Sequence, residues 1–281
     1  MDLKKLEMNK RKNDENIPVF LAVIKNDLVQ RIRDCGKNVG QTKSGKNIIY
    51  DCCNSKYCYL CSEKRKDSRS RFLEKFFEIL FSNNFRLVSL TISPFNAYSS
   101  KEIEEKKKVL NSSLSKFLRY KRIKDVLIGY IKKYEVAYDK VSKSYNVHLH
   151  LLLVFKSGYL SPKYYISEKS FKDMFDKALN RELDYSLVSK SVQISNYKKV
   201  SEYFSKSEFS VREKLSKIEG MEVLETIFPA LNKTKMFQIS RSLSDYKKLV
   251  EQELKYDRSL DGLENVQIFV FDNNSMSYVK A

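Results

Sequence analysis

Ten residues constrain this chain more than any other stretch: Asn146-Val147-His148-Leu149-His150-Leu151-Leu152-Leu153-Val154-Phe155. So apolar a run, of strand length, predicts a β-strand buried in a sheet. After Asn146 at its start, its polar members are the only 2 histidines in 281 residues. At i and i+2 on a strand, both imidazoles leave from one face. Two nitrogen donors fixed side by side on a rigid strand suit a metal site, although alternation alone can also put such a pair on a solvated face.

The neighbouring segments build a sheet around that strand. Val126–Tyr138 reads as a second long strand, Asp139–Ser144 as a polar turn, and the histidine strand as the hairpin partner. Phe85–Ser93 reads as a further strand, stopped by Pro94 and Asn96, and Leu187–Ser195 as another. Apolar spacing predicts helices over 67–83, over 101–120 and from Pro162 through Leu179, with a short one over Tyr197–Lys206. The order predicts an α+β fold: an antiparallel ferredoxin- or RRM-like sheet with helices on one face. The expected divisions are a basic tail and cysteine region over 1–66, a central domain over 67–210 and a helical region with a final strand over 211–281.

Charge indicates the partner. With 53 Lys and Arg against 35 Asp and Glu, the formal net charge is +18. On a chain rich enough in apolar residues to bury a core, such an excess is a footprint for nucleic acid. The charged segment Met1–Asn16 has no apolar stretch of a signal peptide, and no apolar run is long enough to span a bilayer, so the expected location is the cytoplasm, with no membrane partner.

Reduced cysteines that cluster suggest metal rather than disulfides. All 5 fall between Cys35 and Cys61, and Cys53, Cys58 and Cys61 form C-x4-C-x2-C. Four thiolates suit a closed tetrahedral Zn2+ site. Cys35, Cys53, Cys58 and Cys61 are the favoured set, with Cys52 able to replace Cys53. Lys37, Lys43, Lys46, Lys56, Lys64, Arg65, Lys66, Arg69 and Arg71 surround them and could meet phosphates. Gly40–Asn47 imitates a phosphate-binding loop, but Asn47 stands where a magnesium-binding hydroxyl is needed and no buried strand leads in.

Two further residues complete a candidate site. Glu135 lies on the strand before the histidines, where hairpin pairing could set its carboxylate beside them. Two imidazoles and a carboxylate suit Mn2+ or Mg2+ acting on a phosphate. On the short helix, Tyr197, Val200 and Phe204 share one face, while Lys199, Tyr203 and Lys206 share another. Flanking ammonium groups would favour phenolate character at Tyr203. A different reading makes the sheet a non-catalytic nucleic-acid platform, with Tyr130, Tyr134 and Tyr138 on one face for base stacking.

His148-Leu149-His150 resembles the HUH motif of rolling-circle replication initiators. Leu90-Thr91-Ile92-Ser93 is similar to their first-strand motif, and Tyr203-Phe204-Ser205-Lys206 to their Y-x-x-K motif. The cysteine pattern, Glu135 and the segment from Ala230 to Ser240 are similar to those of plasmid initiators with a single catalytic tyrosine. Position 59 is Tyr where that family has Pro, and Lys199 stands where some members carry a glutamate used at termination. The resemblance implies an HUH endonuclease fold and a metal-dependent enzyme that nicks and rejoins single-stranded origin DNA through a 5′-phosphotyrosine link. It implies that His148, His150 and Glu135 hold the divalent ion, that Tyr203 attacks and that Lys206 assists. The implied partners are origin DNA, single-stranded and in a hairpin or duplex, with host helicase and polymerase, the protein acting as monomer or dimer on DNA. A transposase or relaxase of the same superfamily would use the same residues.

Overall fold

The computed structural model describes residues 2–43, 45, 47–94, 96–179, 183–207, 209–211, 217–231, 235–260 and 266–281. The chain opens with α1 (Leu3–Glu15), α2 (Ile17–Val23) and α3 (Asn26–Asp34), then β1 (Asn38–Gln41), β2 (Asn47–Ile49) and the long α4 (Tyr59–Ser82). Next come β3 (Arg86–Pro94), α5 (Ser100–Phe117), the single turn α6 (Lys121–Lys124), β4 (Leu127–Asp139), β5 (Ser144–Phe155), α7 (Glu168–Ala178) and β6 (Tyr185–Val192). The remainder is α8 (Tyr197–Ser205), β7 (Phe209–Val211), α9 (Lys217–Leu231), β8 (Phe237–Ile239), α10 (Ser244–Leu260), β9 (Gln267–Asp272) and β10 (Ser277–Lys280).

Contacts divide this mixed α/β chain into two units, Met1–Arg71 with Gln252–Ala281, and Phe72–Glu251. The first holds a four-stranded antiparallel sheet in the order β10-β9-β1-β2. Its middle pairing sets Asn38 opposite Val270. The second holds the larger sheet in the order β6-β3-β5-β4-β7, with β8 also on β4. All its pairings are antiparallel except that of β7 with β4. The four principal strands and two helices run β3-α5-β4-β5-α7-β6, so β5 sits between the first strand and its own hairpin partner.

Local chemistry sets the boundaries. Ser99 caps α5: its hydroxyl accepts from the Glu102 backbone N–H and donates to the Glu102 carboxylate. Ser167 caps α7 by accepting from Ser170 N–H. The β4–β5 turn closes on Asp139, whose carboxylate accepts from the N–H groups of Val141 and Ser142. Lys143 takes the left-handed conformation at φ 49 as that turn ends.

Both faces of the larger sheet are covered. Alternation along β5 sends Val147, Leu149, Leu151, Leu153 and Phe155 into a core with Ile103, Leu110 and Phe117 of α5, Phe171 and Phe175 of α7, and Val223 and Ile227 of α9. Each such large side chain, fully buried, contributes about 1.5–3 kcal/mol. The opposite face carries His148, His150, Leu152 and Val154, and α8 lies over it, with the Phe204 ring 6.3 Å from that of His150. Tyr197 of α8 donates to Glu78 of α4 at 2.8 Å, which places the end of α4 behind that helix.

Several expectations are corrected. Helices cover two faces rather than one, because β5 has apolar residues on both sides to bury. Residues 1–66 do not stand as a unit of their own, nor do 211–281: β9 pairs with β1, while α9 and β8 join the larger unit. The charged N-terminus is the helix α1, which buries Leu6, Asn9, Lys10 and Asn13. Pro162 does not open α7; it follows a 3-10 turn at Ser157–Leu160, and α7 starts only after the Ser167 cap. In the segment Gly40–Asn47, Gly40 and Gln41 end β1 and Asn47 opens β2, while Ser44 and Lys46 lie outside the described residues. Tyr134 and Tyr138 are buried in the helix-covered core, so they offer no stacking platform. Among the described residues, no helix is long and apolar enough to cross a membrane.

Candidate functional site

In the larger unit, hairpin pairing sets Glu135 directly opposite His148 and Lys133 opposite His150. The carboxylate reaches diagonally, with Glu135 Oε2 3.3 Å from His150 Nε2. The two imidazoles stack with centroids 5.8 Å apart. From the other side, β3 sets Thr91 opposite His150. Thr91 Oγ1 lies 3.2 Å from His150 Nδ1, and Ser93 Oγ lies 2.6 Å from His148 Nδ1. Helix α8 lowers Tyr203 onto this face. Its hydroxyl is 3.3 Å from each ring nitrogen of His150, and the rings meet edge to face at 4.9 Å. Lys206 follows the last turn of α8, with Nζ 5.5 Å from the Tyr203 ring centroid. Lys199 is exposed on the same helix.

The electrostatics oppose an early phenolate. Burial first, and then the Glu135 charge, push Tyr203 up to about 12, outweighing the effect expected of the flanking lysines. Burial also lowers His150, against the opposing pull of Glu135. Two imidazoles and a carboxylate could hold a divalent ion. The three are less tightly drawn together than the cysteines: among the described residues, only the cysteine group has its ligand atoms all within 4.8 Å of one another.

That group lies in the other unit and comprises Cys35, Cys53, Cys58 and Cys61, all buried. Hydrogen bonds among the sulfurs push Cys35 up and hold Cys61 down at about 7. Cys52 lies outside the four, partly exposed, with its sulfur 3.3 Å from that of Cys61. The group could bind a metal. Asn13 of α1 donates to Cys58 Sγ at 3.2 Å and accepts from Tyr59 N–H at 2.9 Å. Arg31 donates to the Cys53 carbonyl, and Arg65 to those of Asn54 and Ser55. Arg65, expected among the phosphate-facing cations, thus clamps the cysteine loop. Lys37, Lys43, Lys56 and Lys64 are exposed; Lys46 lies outside the described residues.

A family model described as replication protein matches residues 48–269, which take in the hairpin, both histidines and Tyr203. The chain belongs to the replication protein family. A curated "Protein rep" of Lactiplantibacillus plantarum is 28% identical over 175 residues, 60% of this chain and 55% of that protein. One from Staphylococcus aureus is 30% identical over 126 residues, 44% of this chain and 54% of its own. One from Streptococcus pneumoniae serotype 2 is 26% identical over 200 residues, 64% of this chain and 62% of its own. The chain thus spans little more than half the length of the curated relatives it matches. No solved structure matches it.

Sequence reasoning assigned no role to one residue of this replication protein's site. Lys133 is fully buried, and its ammonium donates to the Tyr203 carbonyl at 3.2 Å. A cation at the last carbonyls of α8 stabilises that helix end and so fixes Tyr203. Its position two residues before Glu135 was the available signal, since the two share a strand face.

The lowered His150 carries a prediction. As pH falls, the unfolded chain binds a proton near 6.5 while the folded ring resists it. Stability from keeping His150 neutral is therefore whole above about 6.5 and lost as pH drops through the folded midpoint. An NMR titration of the metal-free protein should give His150 a midpoint below that of a free imidazole. A midpoint above it would show that Glu135 outweighs burial.

Proposed function

We propose that this chain is a rolling-circle replication initiator whose larger unit is an HUH endonuclease domain of ferredoxin-like order. It nicks single-stranded DNA at a plasmid origin and later rejoins strands. The observation that carries this reading is the approach of the Tyr203 hydroxyl to His150, 3.3 Å from each ring nitrogen across 53 residues of sequence. A nucleophile set against a histidine pair with a carboxylate beside it suits attack on a phosphodiester. The family membership and the sheet order support it.

In this reading His148, His150 and Glu135 hold Mn2+ or Mg2+, which when bound draws charge from a phosphate oxygen. The donor set fits: the Nδ1 atoms already face hydroxyls, and a carboxylate oxygen lies at His150 Nε2. Tyr203 gives up its proton to solvent water as its oxygen bonds to phosphorus. The bond from phosphorus to the 3′ oxygen breaks, and that oxygen takes a proton to leave as a hydroxyl. The 5′ phosphate stays on Tyr203 as an ester, and the free 3′-OH can prime a polymerase. Lys133 holds the end of α8, and Lys206 adds positive charge beside the ring. The second centre is read as a structural Zn2+ site of Cys35, Cys53, Cys58 and Cys61, a closed all-thiolate set. Host helicase and polymerase would be partners of the whole initiator.

The test is incubation of the purified chain with single-stranded origin DNA of its replicon and Mn2+. The expected product is a protein–DNA adduct that survives denaturation, with none formed in EDTA. A metal-dependent nick without an adduct would instead make the protein a hydrolytic nuclease.

A further inference from the structure

We infer that Thr91 and Ser93 are positioning residues, whose hydroxyls orient His150 and His148 so that both rings present Nε2 to a divalent ion. The inference rests on the reading of His148, His150 and Glu135 as ion ligands. Its basis is a repeated geometry. On β3 the two hydroxyls stand two residues apart, as the histidines do on β5, and each meets one Nδ1, at 3.2 Å for Thr91 and 2.6 Å for Ser93. The strands are hydrogen-bonded neighbours, so the match is held by sheet register rather than by flexible side chains.

The chemistry follows from the imidazole ring. When one nitrogen gives its lone pair to an ion, the other carries the proton and needs an acceptor. A hydroxyl supplies that acceptor, and it can also donate when the ring holds the other tautomer. Being neutral, it leaves Glu135 as the one carboxylate of the proposed ligand set. Thr91 has a second consequence. His150 Nδ1 is also within 3.3 Å of the Tyr203 hydroxyl. With Thr91 occupying that nitrogen and Nε2, also 3.3 Å from the hydroxyl, given to an ion, the tyrosine oxygen would be left for the phosphate.

The test uses the full chain with its cysteine centre loaded with zinc, titrated with Mn2+ and followed by the EPR signal of the free ion. Ser93→Ala and Thr91→Val should each weaken Mn2+ binding by about tenfold or more. Ser93→Thr and Thr91→Ser keep the hydroxyl and should bind near the wild-type level. Binding of single-stranded DNA without Mn2+ should be unchanged in all four, which a folding defect would not allow. Wild-type affinity in both hydroxyl-free variants would overturn the inference. So would equal weakening in the conservative variants, since packing rather than the hydroxyl would then set the affinity. If His148→Ala takes up Mn2+ like wild type, the ion does not sit at these histidines, and the reading of the site fails along with the inference.

Discussion

The Tyr203→Phe protein is expected to form no covalent adduct with single-stranded origin DNA. Phenylalanine keeps the ring that meets His150 edge to face and lies under Lys206, so α8 should hold its place. What is removed is the one oxygen that can bond to phosphorus. Loss of a nucleophile lowers turnover by at least about a thousandfold, equivalent to about 4 kcal/mol of transition-state stabilisation. Because burial and Glu135 push Tyr203 up to about 12, the residue is a neutral phenol near pH 7. In the proposed reaction its activation would rest on the positive charge of a bound divalent ion, so chelation should give the same blank lane as the substitution. The measurement is a denaturing gel of labelled DNA. An adduct that persists in Tyr203→Phe would move the nucleophile to another of the 18 tyrosines.

The distance between what the residues announce and what the fold adds is uneven. The β4–β5 hairpin was legible because its strands are long, apolar and joined by a polar turn, and the expected strands differ from the observed ones by only a few residues. Helical spacing separated the buried Phe204 from the more exposed Tyr203, but it did not show that the Tyr203 ring meets His150. The first unit was not legible. Its sheet joins Asn38 to Val270, and neither segment carries a local sign of the other. The buried face of α1 includes Asn9, Lys10 and Asn13, so its hydrophobic pattern is faint, and Asn13 is inside because it bonds to Cys58 and Tyr59. Thr91 and Ser93 stood out only as part of the first-strand motif, and their role was silent for a different reason. Hydroxyls are common on strands, and only the register with β5 shows that these two meet imidazoles.

Removing metal from the cysteine centre is expected to unfold the unit that contains it. Four buried sulfurs whose atoms all lie within 4.8 Å of one another cannot all ionise without a cation between them. Structural zinc on thiolates contributes an apparent 10–16 kcal/mol, roughly, at neutral pH. A whole domain is stable by only about 5–15 kcal/mol. The sheet here is short, four strands of which β2 has 3 residues, and the four cysteines lie just before β1 and from the end of β2 into α4. Cys58→Ser should therefore abolish stoichiometric zinc in elemental analysis and remove the metal-dependent part of the thermal transition. Its thiol is fully buried and receives the Asn13 amide, so no solvent ligand can replace it. Cys52→Ser should retain one zinc per chain, because Cys52 stands outside the group. If Cys52→Ser loses zinc while Cys53→Ser keeps it, the ligand set includes Cys52 instead. If the purified wild type carries no zinc and its melting is indifferent to chelators, the thiols pack as a reduced core and the unit owes its fold to α1 and the β1–β9 pairing.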